Sequence, residues 1–217
     1  MVKTTWIFHS VMHVEVNGKV YMFEADSQRK ACKMLLAFLI ENELTDKYLM
    51  FFTDGEESLK TNIDNIFQEW LHRLLLDWHH INERCLEAFS KIFKPGKIID
   101  PEQEPVRFKN GKIKKSSIVK ITRSKFYLRE FNRFLWIGNI KGALKYLDDI
   151  KAQPELLKAN GTEVIDSVIS YLNNKNDRMT CFALRKELGL RNSSNRVEKN
   201  KRPSCLTSAE RQRVILE

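Results

Sequence analysis

Two aspartates sit where an α/β protein would put chemistry. Tyr48-Leu49-Met50-Phe51-Phe52 ends at Thr53-Asp54-Gly55, and Leu74-Leu75-Leu76 ends at Asp77-Trp78-His79-His80. A continuous apolar run of this length suits a strand covered on both faces. In an open α/β sheet, functional groups gather outside the carboxyl ends of the parallel strands, the position expected for Asp54 and Asp77. Carboxylates there suit Mg2+, which takes oxygen ligands and commonly only one or two from protein. Each aspartate also has a plainer reading, because aspartate is a favoured helix N-cap and both precede helical sequence. His79 and His80 make a poor zinc site, since no Cys or His stands near at ligand spacing. His79 better suits contact with a phosphate or orientation of a neighbouring acid. A third carboxylate, Glu198, lies in the polar stretch Arg191-Asn-Ser-Ser-Asn195-Arg-Val-Glu198-Lys-Asn200. Asn195 and Glu198 also stand in the N-cap and N3 relation of a capping pair, and spacing alone favours that role.

The elements that would position these groups follow from periodicity. Trp6, Phe8, Met12, Val14 and Val16 fall largely on one side of an alternating stretch, with His9 and His13 on the polar side. That pattern predicts a strand with one wet face. Asn17-Gly18 then signals a tight hairpin into a second strand through Val20 and Phe23. Ala31, Met34, Leu35, Phe38 and Leu39 make a helical stripe, as do Leu59, Ile63, Ile66 and Phe67, and then Ile81, Cys85 and Phe89. The order is hairpin, helix, buried strand, helix, buried strand, helix, which predicts a mixed sheet with parallel crossovers and an antiparallel edge. Residues 94–118 carry three of the five prolines and many charges and read as a basic linker or loop. Helical spacing resumes over Phe126–Trp136, Ile140–Ile150, Val164–Leu172 and Met179–Leu188.

Charge points to the partner. The 217 residues carry a net charge of +9, but it is not spread evenly. Between Lys91 and Lys145 there are fifteen Lys and Arg against four Asp and Glu, a net of +11, and the remainder nets −2. A basic block of this kind favours a polyanion. Lys112, Lys114 and Lys115, with Arg123 and Lys125, are the expected phosphate contacts, and Phe126, Tyr127 and Trp136 interleave with them. No run of eighteen apolar residues exists, so no membrane span is expected, and the opening MVKTTWIF is not a signal peptide. Cys32, Cys85, Cys181 and Cys205 never form C-x-x-C and read as reduced thiols of a cytoplasmic protein.

Taken in order, Phe-Phe-Thr-Asp54-Gly, Leu-Asp77-Trp-His-His and Arg-Asn-Ser-Ser-Asn-Arg-Val-Glu198-Lys-Asn resemble the DDE transposases of bacterial insertion sequences, members of the RNase H-like (retroviral integrase) superfamily. The resemblance runs from about Thr4 to Asn200. It implies an RNase H-like mixed sheet with a helical insertion: a first part of the core over 1–93, the basic linker, a helical insertion over 119–175 and a last core segment over 176–200. It implies that Asp54 and Glu198 are catalytic, metal-binding acids and that Asp77 and His79 form an accessory element. The ions would be two Mg2+ (or Mn2+), one activating water or a DNA 3′-hydroxyl and the other stabilising the leaving oxygen. The family's first acid lies on a strand ahead of the Thr4 hairpin. That strand is missing here, so the expectation is a truncated core with an incomplete sheet, weakly held metal and no DNA cleavage. Residues 201–217 are expected to be a degenerate or disordered tail. DNA is the expected partner, with a second copy or an intact transposase as further partners. The alternative is a non-catalytic nucleic-acid-binding remnant.

Overall fold

A computed structural model of the chain describes residues 10–105, 107, 110, 113, 115–193 and 210–216. It is a mixed α/β protein with seven α-helices and two sheets among the described residues. The chain divides into two compact units, one formed by residues 1–80, 178–180 and 189–217, the other by residues 81–177 and 181–188.

The first unit is built on a five-stranded sheet in the order β2-β1-β7-β3-β4. Strands β1 (Ser10–Val16) and β2 (Lys19–Ala25) form the predicted hairpin. Asn17 and Gly18 both adopt positive φ, at 48° and 77°, as a two-residue turn that follows the twist of its strands requires. Helix α1 (Gln28–Glu41) starts at Ser27, whose hydroxyl accepts from the Lys30 amide. Strand β3 (Leu49–Thr53) is buried at every position, as an apolar run covered on both faces should be. Helix α2 (Glu57–Ile66) then carries the chain to β4 (His72–Leu76), parallel to β3 with Leu49 opposite His72 and Thr53 opposite Leu76. One face of the sheet contributes Met12, Val14, Leu49, Phe51 and Leu74 to a core closed by Ala31, Cys32, Leu35 and Leu39 of α1 and Leu59 and Ile63 of α2. Met50, Phe52 and Leu75 form a separate cluster.

At the centre of this sheet β7 (Glu210–Leu216) runs between β1 and β3, parallel to the first and antiparallel to the second. Residues 201–217, expected to be a degenerate or disordered tail, thus include a strand at Glu210–Leu216. Its Val214-Ile215-Leu216 has the β-branched and apolar character that strands favour. The edges of β1 and β3 that face each other both pair with β7, so the backbone groups on those edges are hydrogen-bonded within the sheet.

The second unit is mostly helical. It takes in α3 (Trp78–Ile92) from Ile81 onward, then α4 (Arg123–Trp136), α5 (Ile140–Lys151), α6 (Gly161–Asn174) and α7 (Phe182–Glu187). Aromatic rings tie it together: Phe89 to Phe131 at 5.1 Å, Phe93 stacked on Tyr127 at 4.6 Å, and Trp136 stacked on Phe182 at 6.1 Å. The stretch read as a linker holds β5 (Lys97–Ile99) and leads into β6 (Lys120–Thr122), which pair as a two-stranded antiparallel ribbon against α4. Strands of three residues are too short to show a period, so they left no signal in the sequence. No helix among the described residues is long and apolar enough to cross a membrane.

Candidate functional site

The parallel pairing of β3 and β4 sets their carboxyl ends side by side. The Asp77 amide donates to the Thr53 carbonyl at 2.9 Å, so Asp54 and Asp77 leave the sheet from adjacent backbone positions. Their surroundings differ sharply. Asp54 is exposed, at the start of a turn that Gly55 completes with φ of 95°, and its Oδ1 accepts from the Glu56 amide at 3.0 Å. Asp77 is 1% exposed and stands immediately before α3, where its Oδ1 accepts from the His79 amide at 2.7 Å. That is the geometry of a helix N-cap, satisfying one of the amides that open the helix. His79 is half-buried in the first turn of α3, its ring 5.8 Å from that of His80.

Two further contacts shape this rim. Arg178, 3% exposed, donates to the Gly55 carbonyl at 3.4 Å and to the Glu57 carboxylate, holding the turn that carries Asp54. Sequence reasoning missed it: Arg178 lies in a polar link after α6, and only the return of residues 178–180 to the first unit reveals its role. The Trp78 amide donates to the Asn192 carbonyl at 3.0 Å, which brings the segment leading toward residue 198 to the start of α3. Arg191 pairs with Glu15 of β1. Glu198 itself lies outside the described residues. Among the described residues, no group of three or more His, Cys, Asp and Glu is arranged to hold a metal ion. The rim thus offers a divalent cation one open carboxylate, Asp54, beside a second that is already committed to the backbone. One or two protein carboxylates are common for Mg2+, so the donor set fits a loosely held, largely hydrated ion.

The basic block belongs to the second unit, where it sorts into compensated and uncompensated charge. Arg129 pairs with Asp100 at 3.0 Å and with Glu102 at 2.8 Å, and Arg133 pairs with Glu130 at 2.9 Å and also with Glu102. Those two arginines therefore engage three of the four acids in the block. Lys91 pairs with Glu87 at 2.5 Å, and the Arg123 guanidinium packs against Gly96 and donates to the Lys94 carbonyl at 3.5 Å. Lys97, Lys115, Lys120 and Lys125 are exposed and make no ion pair among the described residues. Lys112 and Lys114 lie outside the described residues. Phe126, Tyr127 and Trp136 do not interleave with these lysines at the surface: each is at least half-buried, with Tyr127 on Phe93 and Trp136 on Phe182.

Cys32, Cys85 and Cys181 are free, and burial pushes the Cys32 and Cys85 thiols up to about 12. An open hollow of about 510 Å3 between α3 and α6 has Arg84, Lys91, Glu163 and Tyr171 on its walls. Its cations are already engaged, Arg84 over the Tyr171 ring at 4.3 Å and Lys91 with Glu87. No family model matches the chain, and no curated protein or solved structure matches it either.

Proposed function

We propose that the chain is a DNA-binding protein of the DDE-transposase type, with an RNase H-like core and a helical insertion. The observation that supports this most is the pairing of β3 with β4, which sets Asp54 and Asp77 at neighbouring carboxyl ends of parallel strands. In this reading Asp54 and Glu198 are the two metal-binding acids, and a bound Mg2+ would polarise a phosphate and activate the attacking hydroxyl. The chain's own contribution is positional: Arg178 fixes the Asp54 turn, Asp77 caps the start of α3 through the His79 amide, and the uncompensated lysines of the second unit hold phosphates. Two acids hold such ions weakly, so the polypeptide binds DNA but neither cleaves nor joins it.

The test is Mn2+ binding followed by electron paramagnetic resonance, beside nicking of supercoiled DNA in Mg2+ or Mn2+. Weak Mn2+ binding should be lost in Asp54→Asn and in Glu198→Gln, with little further loss in the double variant if the two acids share an ion. Binding unchanged in both variants would end the metal reading. Robust nicking that disappears in Asp54→Ala would show that a further ligand comes from elsewhere.

The capping role of Asp77 favours a second reading, a non-catalytic nucleic-acid-binding remnant that associates with an intact transposase. Here Asp54→Ala and Glu198→Ala leave DNA binding unchanged, while neutralising Lys112, Lys114 and Lys115 weakens it.

A further inference from the structure

The ribbon of β5 and β6 has two different faces. Ile98 and Ile121 lie opposite each other and are half-buried, whereas Lys97, Ile99, Lys120 and Thr122 alternate with them and are exposed. Lys97 pairs in register with Thr122, and Ile99 with Lys120, so the two lysines stand diagonally on one face. Residues so placed come within roughly 7–8 Å of each other, where like charges repel. No carboxylate within the ribbon offsets them. Lys125 follows in the first turn of α4, a turn with no acidic residue, and Lys115 precedes β6. Between the lysines Ile99 is 60% exposed.

We infer that this outward face is a docking surface for double-stranded DNA, with Lys97, Lys120 and Lys125 on phosphates and Ile99 facing into the groove. The inference rests on the nucleic-acid part of the proposed function and is independent of Asp54 and Glu198. Three physical arguments select the duplex. Single strands are bound chiefly by stacking bases on exposed aromatic rings. No described aromatic of the second unit is exposed; those nearest the ribbon in sequence, Phe93, Phe126 and Tyr127, pack on one another. A two-stranded ribbon, with strands about 4.8 Å apart, is narrow enough for the B-form major groove, roughly 12 Å wide. The deep, narrow major groove of A-form RNA excludes it.

The experiment measures fluorescence anisotropy of the full chain with a labelled DNA duplex, one of its single strands and the matching RNA duplex, across a salt series. The DNA duplex should bind tightest. Lys97→Ala/Lys120→Ala should weaken it roughly tenfold or more near 0.1 M salt and lower the slope of log affinity against log salt by about 2, one unit per lost phosphate contact. Lys141→Ala/Lys145→Ala, the same charge change on α5, should weaken binding by less. Equal losses in the two double variants would overturn the ribbon assignment, as would loss only on Lys112→Ala/Lys114→Ala. Tighter binding of the single strand or the RNA overturns the duplex assignment. Binding to none of the three overturns the nucleic-acid reading together with this one, whatever the Mn2+ result.

Discussion

Asp77 and Asp54 both follow buried apolar runs, yet the fold surrounds them differently. The buried carboxylate of Asp77 already has an amide donor at 2.7 Å, and replacing a cap by alanine typically costs about 0.5–2 kcal/mol. Asparagine caps about as well as aspartate. Asp77→Ala should therefore lower the unfolding free energy measured by urea titration by an amount in that range, while Asp77→Asn stays close to the parent. If Asn proves as damaging as Ala, the charge itself is needed at Asp77 and capping is not its main role. Exposed Asp54 bonds only within its own turn among the interactions described, so its replacement should leave stability nearly unchanged and be read in metal binding alone.

At the scale of elements, β7 has the most consequence. It is the only bridge between the β2-β1 hairpin and the β3-β4 pair within the described sheet. Take it away and two long strand edges lose their partners, which exposes backbone groups and invites pairing with other chains. Val214 sits opposite Val14 on one side and Phe51 on the other. Proline there removes an amide from the middle of the sheet and is poorly tolerated at any central position. Val214→Pro should raise hydrogen exchange at amides of β1 and β3 and make the protein prone to aggregation. Unchanged exchange in both strands would mean that β7 does not hold this place in solution. The ribbon is a contrasting case: its Ile98 and Ile121 side pairs inward, its lysine side faces solvent, and its role concerns binding more than stability.

For the whole molecule, the chain divides into two compact units. The first is discontinuous in sequence, and the charge is concentrated in the second, which contains the whole Lys91–Lys145 block. Distinct compact units need not unfold together. Calorimetry should give a measured enthalpy larger than the van't Hoff enthalpy of the main transition. A ratio of one, with coincident transitions by tryptophan fluorescence and far-ultraviolet dichroism, would show that the units unfold as one.

Period and turn chemistry determined much of this protein without any structure. The Asn17-Gly18 hairpin, the buried run at β3, the helical stripes of α1 to α6 and the uneven charge were all legible, because each depends on neighbours a few residues apart. Three things were decided only by the tertiary structure. The seventh strand at the sheet centre depends on pairing across some two hundred residues, and nothing local to 210–216 announces its partners. The hold of Arg178 on the Asp54 turn spans more than a hundred residues. Which cations of the basic block stay uncompensated depends on Asp100 and Glu102 folding back onto Arg129. Long-range pairing carries no periodic signature, which is why the elements could be read in advance and their partners could not.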